Sequence, residues 1–128
     1  MTTLSRILCV DDEEDILSIT QVALEALGGY TVCPCSSGAV AIRAAASFAP
    51  QLLLLDVMMP ELDGPATLSA LRAIPATAST PVVFMTAKVQ RQEIAQLERL
   101  GAVGVIAKPF DPMTLPDQLR AIWQSYSK

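Results

Sequence analysis

Residues 51–64 read QLLLLDVMMPELDG: four consecutive leucines stop at a carboxylate, Asp56, and give way at once to a turn-rich segment. An apolar run of this length bounded by polar residues reads as a strand buried on both faces, which suits the middle of a parallel sheet. Asp56 then stands at the carboxyl end of that strand, where ligand sites of open α/β sheets lie. Capping a helix or closing a turn is the plainer use of such an aspartate. Which reading holds depends on what the rest of the chain delivers to the same rim.

Upstream, residues 6–10 (RILCV) form a short strand, and the acid run that follows opens a helix with Ile16, Ile19, Thr20, Ala23, Leu24 and Leu27 at helical spacing. Gly28 and Gly29 stop it. Residues 30–35 read as a second strand, and Pro34, which cannot donate to a ladder, assigns it to a sheet edge. Ser36 or Ser37 caps a second helix that runs to about Phe48 before Pro50, with an alanine-rich stretch over residues 39–46 that permits close approach to the sheet.

Downstream, Asp63-Gly64-Pro65 supplies a cap and an N-terminal proline for a third helix ending before Pro75, and residues 76–80 form a polar loop. Residues 81–86 (PVVFMT) make the fourth strand, a helix spans about Gln90 to Leu100 until Gly101, and residues 103–107 make the fifth strand. The last helix gathers Leu115, Leu119, Ile122, Trp123 and Tyr126 on one face. It starts either at an Asp111-Pro112 cap or, in better agreement with Pro116, at Thr114 with Asp117 at N3. Strands alternating with helices through short connections predict an α/β doubly wound sandwich, a (βα)5 chain with a five-stranded parallel sheet. The edge position of Pro34 selects the flavodoxin-like order 2-1-3-4-5.

With 128 residues, the chain reads as a single domain over 1–128. Apolar residues make up 52% but aromatics only 5%, so the core is aliphatic. A net charge of −4, with Asp11, Asp12, Glu13, Glu14 and Asp15 in one run, argues against a direct nucleic-acid partner. No uninterrupted apolar run reaches about 18 residues, and MTTLSR lacks the apolar stretch of a signal peptide, so a cytoplasmic protein without membrane attachment is expected. The three cysteines, Cys9, Cys33 and Cys35, read as buried reduced thiols. The absence of histidine excludes a Ser-His or Cys-His catalytic pair.

In a parallel sheet the strand carboxyl ends share one rim, which here carries Asp11 and Asp12, Asp56, Thr86 and Lys108. Carboxylates brought together repel by roughly 3 kcal/mol per pair at an effective dielectric near 20. A divalent cation with hard oxygen ligands offsets that repulsion, and Mg²⁺ favours one or two carboxylates plus water and a phosphate oxygen. A carboxylate beside a metal, a lysine and a hydroxyl is equipped to attack a phosphoryl group, giving an aspartyl phosphate at Asp56.

The segments ILCVDDEEDI, LLLLDVMMPELDG, VVFMTA and VIAKPF, in this order and spacing, resemble the response-regulator receiver domain of two-component phosphorelays, of the chemotaxis (CheY-like) type, over essentially the whole chain. The resemblance implies Asp56 as phosphoacceptor, Asp12 as a direct metal ligand, Asp11 as a ligand partly through water, and the Met58 backbone carbonyl as a further contact. It implies that Thr86 and Lys108 bind phosphoryl oxygens, that the Lys108-Pro109 bond is cis and that Ala87 leaves room for the phosphoryl group. Mg²⁺ is the implied cofactor, with Mn²⁺ as a substitute. The implied partners are a sensor histidine kinase or histidine phosphotransfer protein, and a downstream protein bound through the face of helix four, strand five and helix five.

The sequence departs from the family pattern at Val105, where an aromatic is usual three residues before the lysine, and at Ala107, where threonine or serine is frequent. The expected consequence is a switch that moves Thr86 and its loop with weaker side-chain gating. Met58 and Lys88, each two residues past a site residue, stand where the family tunes loss of the phosphoryl group, and Lys88 either pairs with Glu61 or is solvated. Two other classes of function compete, an enzyme or nucleotide binder and a constitutive interaction domain. A phosphohydrolase with an aspartyl intermediate usually carries a second aspartate where this chain has Met58, and a nucleotide binder needs a Gly-rich turn where it has DDEED. A phosphorylation-independent interaction domain of the same fold is the reading that Val105 favours.

Overall fold

In the computed structural model, which describes residues 3–127, five strands and five helices alternate: β1 (Arg6–Val10), α1 (Glu14–Val22), β2 (Thr31–Cys35), α2 (Gly38–Phe48), β3 (Leu52–Asp56), α3 (Gly64–Arg72), β4 (Val82–Thr86), α4 (Arg91–Arg99), β5 (Ala102–Ala107) and α5 (Leu115–Tyr126). All strand pairs are parallel and the order is β2-β1-β3-β4-β5, the doubly wound flavodoxin-like arrangement expected from Pro34 at the edge.

The leucine run is the centre of this structure. Leu52, Leu53, Leu54 and Leu55 are each 0% exposed, and alternate side chains enter different cores. Leu52 and Leu54 join Leu17, Leu24, Leu115, Leu119 and Trp123 beneath α1 and α5. Leu53 and Leu55 join Ala41, Ala45, Leu68, Leu71 and Leu97 beneath α2, α3 and α4. Burial of this kind contributes roughly 1.5–3 kcal/mol per leucine, so β3 is anchored from both sides and Asp56 at its end inherits a rigid base.

Local signals fix the helix starts that face the site. The Val40 N–H donates to Ser37 Oγ at 3.2 Å, and the Ala66 N–H donates to Asp63 Oδ1 at 2.8 Å. Beyond α4, Gly101 adopts φ +103, a conformation that favours glycine.

The packing also departs from the sequence reading in four places. After Val22 the first helix continues as a π-helical turn, Ala23–Leu27, whose wider spacing turns Leu27 outward. Leu27 is 52% and Ile19 44% exposed, and Leu17 takes the inward position instead. The start of α5 at Thr114 is as preferred, yet Thr114 makes no side-chain cap: its hydroxyl donates to the Asp111 carbonyl, while Asp111 Oδ1 accepts from the Met113 N–H at 2.9 Å. Asp117 pairs with Arg120 at 2.7 Å rather than completing a capping box. The segment 76–80 is not simply a polar loop, because Thr77 and Thr80 are buried and their carbonyls accept from Arg72 at 2.9 and 2.6 Å. Finally, Cys9 and Cys35 are buried but Cys33 is only half-buried.

Candidate functional site

Parallel pairing brings the carboxyl ends of β1, β3, β4 and β5 to one rim, and the strand registers set the side chains that meet there. At this rim the carboxylates of Asp11, Asp12 and Asp56 offer oxygens that all lie within 4.8 Å of one another. Lys108 Nζ stands 3.2 Å from Asp11 Oδ2, 3.4 Å from Asp56 Oδ2 and 3.9 Å from Glu13 Oε1. Three carboxylates against one central ammonium leave two net negative charges in a space where each acid pair repels by roughly 3 kcal/mol. The charge and the all-oxygen donor set fit a hard divalent cation.

Asp11, Asp56 and Lys108 are positioned by backbone hydrogen bonds at or beside them. The Asp11 N–H donates to the Cys35 carbonyl on β2 at 3.1 Å, and Asp11 Oδ1 accepts from the Glu13 N–H at 2.9 Å, which turns the chain into α1. Asp56 closes β3, and the loop beyond it is tied at both ends, by Val57 N–H to Met85 O at 3.0 Å and Gly64 N–H to Val57 O at 2.9 Å. Gly64 is required there, since a Cβ at this position would stand 2.5 Å from the Asp56 carbonyl oxygen. Within the loop Glu61 takes φ +65, the left-handed region that costs a non-glycine residue about 1–2 kcal/mol. The Lys108 N–H donates to Thr86 O at 2.9 Å, which locks β5 to β4 at the rim, and Lys108-Pro109 is cis.

Burial and charge act on Asp56 together. The side chain is almost wholly enclosed, and desolvation first, then the charge of Asp11, raise its pKa to about 6, against the opposing pull of Lys108. Burial works against the Lys108 ammonium, but the hydrogen bond and charge of Asp11, followed by those of Asp56, outweigh it and raise its pKa.

Above these groups opens a cleft of about 360 Å³ lined by Glu13, Ile16, Asp56, Met58, Thr86, Ala87, Lys108 and Pro109. Thr86 Oγ1 accepts from the Lys88 N–H at 3.0 Å, which leaves its own O–H to donate into the cleft. Met58 is 62% exposed at the cleft mouth. Lys88 is exposed and, among the described residues, forms no ion pair with Glu61. A second groove of about 370 Å³ lies behind Thr86, between Val57 and Leu97.

Every site residue read from the sequence therefore lies on or beside this cleft: Asp11, Asp12, Asp56 and Lys108 in direct proximity, Thr86 and Met58 on its wall. Sequence reasoning missed Glu13 as a neighbour of Lys108 and the Cys35 carbonyl as the anchor of Asp11. Glu13 was visible only as one more acid in a run. The role of Gly64 was concealed behind its more obvious place after a helix cap.

The profile of the family described as "Response regulator receiver domain" matches residues 7–120. Among curated proteins, the chain is 37% identical over 117 residues to the alkaline phosphatase synthesis transcriptional regulatory protein PhoP of Bacillus subtilis (strain 168), covering 91% of this chain and 48% of that protein. It is 35% identical over 111 residues to the regulatory protein AtoC of Escherichia coli (strain K12), covering 87% of this chain and 23% of that one. The chain thus spans about half or less of the length of these relatives. Among solved structures, the chemotaxis response regulator CheY4 of Vibrio cholerae superimposes with a TM-score of 0.84 at 28% identity, over 94% of this chain and 99% of that one.

Proposed function

The chain belongs to the response regulator receiver domain family, and from that premise we propose that it is a phosphorylation switch in which Asp56 takes a phosphoryl group from a histidine of a sensor kinase or a histidine phosphotransfer protein. The observation that carries this reading is the cluster itself: three carboxylates within 4.8 Å of one another, with Lys108 between Asp11 and Asp56.

The proposed roles follow from position. An Asp56 carboxylate oxygen attacks phosphorus, the new P–O bond forms as the donor's P–N bond breaks, and the imidazole leaves with a proton from solvent. Lys108 is close enough to Asp56 to pair with a phosphoryl oxygen once the group arrives, and the Thr86 hydroxyl donates to another. The exposed Ala87 keeps that side of the cleft open. The Asp11, Asp12 and Asp56 carboxylates and the Met58 carbonyl would hold Mg²⁺, or Mn²⁺ in its place, and the bound cation would supply positive charge beside the transferring group.

Receiver domains are signalling domains rather than turnover enzymes, and the chemistry proposed here is confined to the protein's own phosphorylation and dephosphorylation. Residues 1–128 are proposed to act as one receiver domain in the cytoplasm, without direct nucleic-acid or membrane contact; among the described residues no helix is long and apolar enough to cross a membrane. The downstream partner is a protein that reads the face of α4, β5 and α5. The groove behind Thr86 gives that residue and its loop room to move, while Val105 sits partly buried against the core beneath α4, without an aromatic ring to report the movement. A complex with a phosphoryl mimic that left the loop and this face unmoved would overturn the switching half of the proposal.

Incubation with acetyl phosphate and Mg²⁺ tests the chemical half. One equivalent of label is expected, abolished by chelator and by Asp56→Asn; full labelling of that variant would refute the assignment. No labelling of the parent under any donor would favour the phosphorylation-independent interaction domain.

A further inference from the structure

Cys33 and Cys35 lie on β2, the edge strand, which among the described residues pairs only with β1. Being two residues apart on a strand, their side chains share one face, and their Sγ atoms are 4.0 Å apart. Both belong to the core cluster beneath α2, whereas Cys9 on β1 belongs to the cluster on the opposite side of the sheet. The third thiol is therefore turned away from the pair.

The two sulfurs differ in access. Cys33 is half-buried, and Cys35 is 0% exposed and within 3.8 Å of the Cys33 carbonyl oxygen. Cys33 is therefore the sulfur that meets a reagent from solvent and Cys35 the one that waits behind it. Residues two apart on a strand stand about 6.6 Å apart along the chain, beyond the usual separation of about 5.5–6 Å between the Cα atoms of a disulfide, so closing the 4.0 Å gap to an S–S bond of about 2.05 Å draws the backbone in. An edge strand interrupted by Pro34, which has no N–H, can do so without disturbing a second ladder. That movement reaches the acidic cleft, because the Cys35 carbonyl is the acceptor that holds the Asp11 N–H at 3.1 Å.

We propose that Cys33 and Cys35 form a redox-responsive dithiol, which a hydroperoxide converts to a disulfide across Pro34 and which, when oxidised, loosens Asp11 at the acidic cleft. In the first step the Cys33 sulfur attacks the peroxide, the O–O bond breaks, Cys33 becomes a sulfenic acid and the second oxygen leaves as an alcohol carrying the thiol proton. In the second step the Cys35 sulfur attacks the Cys33 sulfur, the S–S bond forms, the S–O bond breaks, and hydroxide leaves with the Cys35 proton as water. Two thiols lose two hydrogens, and the peroxide is reduced to alcohol and water. A thiol reductant reverses the change by exchange.

The effect on divalent-cation affinity rests on the reading of the cleft given above; the dithiol itself does not. The test treats the whole chain with stoichiometric hydrogen peroxide, then alkylates under denaturing conditions and maps the peptides. A Cys33–Cys35 crosslink with a mass loss of two hydrogens is expected, reversed by dithiothreitol, retained in Cys9→Ala and absent from Cys33→Ser and Cys35→Ser. Sulfinic acid at Cys33, a crosslink to Cys9 or a crosslink between chains in place of that product would overturn it.

Coupling to the cleft is read without metal as hydrogen exchange at the Asp11 amide, expected to be roughly tenfold faster in the oxidised protein because its acceptor has moved; an unchanged rate would overturn the coupling. Calorimetric titration with Mg²⁺ should show roughly fivefold or greater weakening on oxidation. Absence of Mg²⁺ binding to the reduced protein would refute the cation reading while leaving the crosslink and the exchange rate to decide the dithiol.

Discussion

Replacing Asp56 with asparagine should stabilise the metal-free protein, and should do so only where the aspartate is ionised. Asp56 is 3% exposed, and burial together with the charge of Asp11 raises its pKa from 3.8 to about 6. A shift of about two units, at 1.36 kcal/mol each, sets an upper figure of roughly 3 kcal/mol for the cost of its charge in the folded state. The cleft opens to solvent, which lowers the expected cost to about 1–3 kcal/mol.

The sign follows from proton binding: with the folded-state pKa above the unfolded one, the native protein binds more protons, so stability contributed by Asp56 is greatest below the unfolded value and falls as pH rises through the interval between the two. In chelator at pH 8, Asp56→Asn should therefore be more stable than the parent by about 1–3 kcal/mol, or roughly 4–12 °C in Tm. The gain should shrink steadily below about pH 6 and vanish near pH 4. Lys108 retains Asp11 at 3.2 Å in the variant, so its charge is not stranded. Urea unfolding at intervals from pH 4 to 8 measures the difference directly. Mg²⁺ at about 1,000 times Kd should reverse the ranking, because it adds about 4.1 kcal/mol to the form that binds it. A destabilised variant at pH 8 in chelator, or a difference that does not change with pH, would refute the reasoning.

Other perturbations separate the scaffold from the chemistry. Gly64→Ala places a Cβ 2.5 Å from the Asp56 carbonyl oxygen and 3.0 Å from Val57 Cα; as both are backbone atoms, a loss of about 1–3 kcal/mol in urea melts is expected, together with slower labelling by acetyl phosphate. Ser37→Ala removes the acceptor for the Val40 N–H, and neither residue lines the cleft, so it should cost about 1 kcal/mol by the same assay while labelling proceeds at the parent's rate. Lys108→Ala leaves Asp11 and Asp56 facing each other without their shared cation. Titration of the Asp56 carboxyl by NMR in chelator should show its pKa moving further upward, and labelling should slow at least about tenfold.

Much of the architecture was legible because a parallel sheet writes itself in short apolar runs. The leucines of β3 could be buried on both faces only at the centre, and Pro34 could stand only at an edge. The meeting of Asp11, Asp12, Asp56 and Lys108 was legible for a related reason: parallel strands bring like ends together, so residues distant in sequence inherit one rim.

What escaped depends on packing between elements. The π-helical turn at Ala23–Leu27, which packs against α5 and β2, is not encoded in the apolar periodicity, and Leu27 within it is exposed. Thr114 satisfied the cap pattern, yet Asp111 supplied the turn instead. The Cys35 carbonyl became the anchor of Asp11 through backbone register alone, which no side-chain motif announces.

The central claim is that Asp56 is the atom-bearing group of the switch, and borohydride trapping tests it most directly. Protein treated with acetyl phosphate and Mg²⁺ is reduced with borohydride, which converts an aspartyl phosphate to homoserine, and the peptides are sequenced by mass spectrometry. Homoserine at position 56, absent when chelator replaces Mg²⁺, is the predicted result. Phosphorylated protein that yields homoserine at Asp11 or Asp12 instead, or no reducible acyl phosphate at all, would contradict the account.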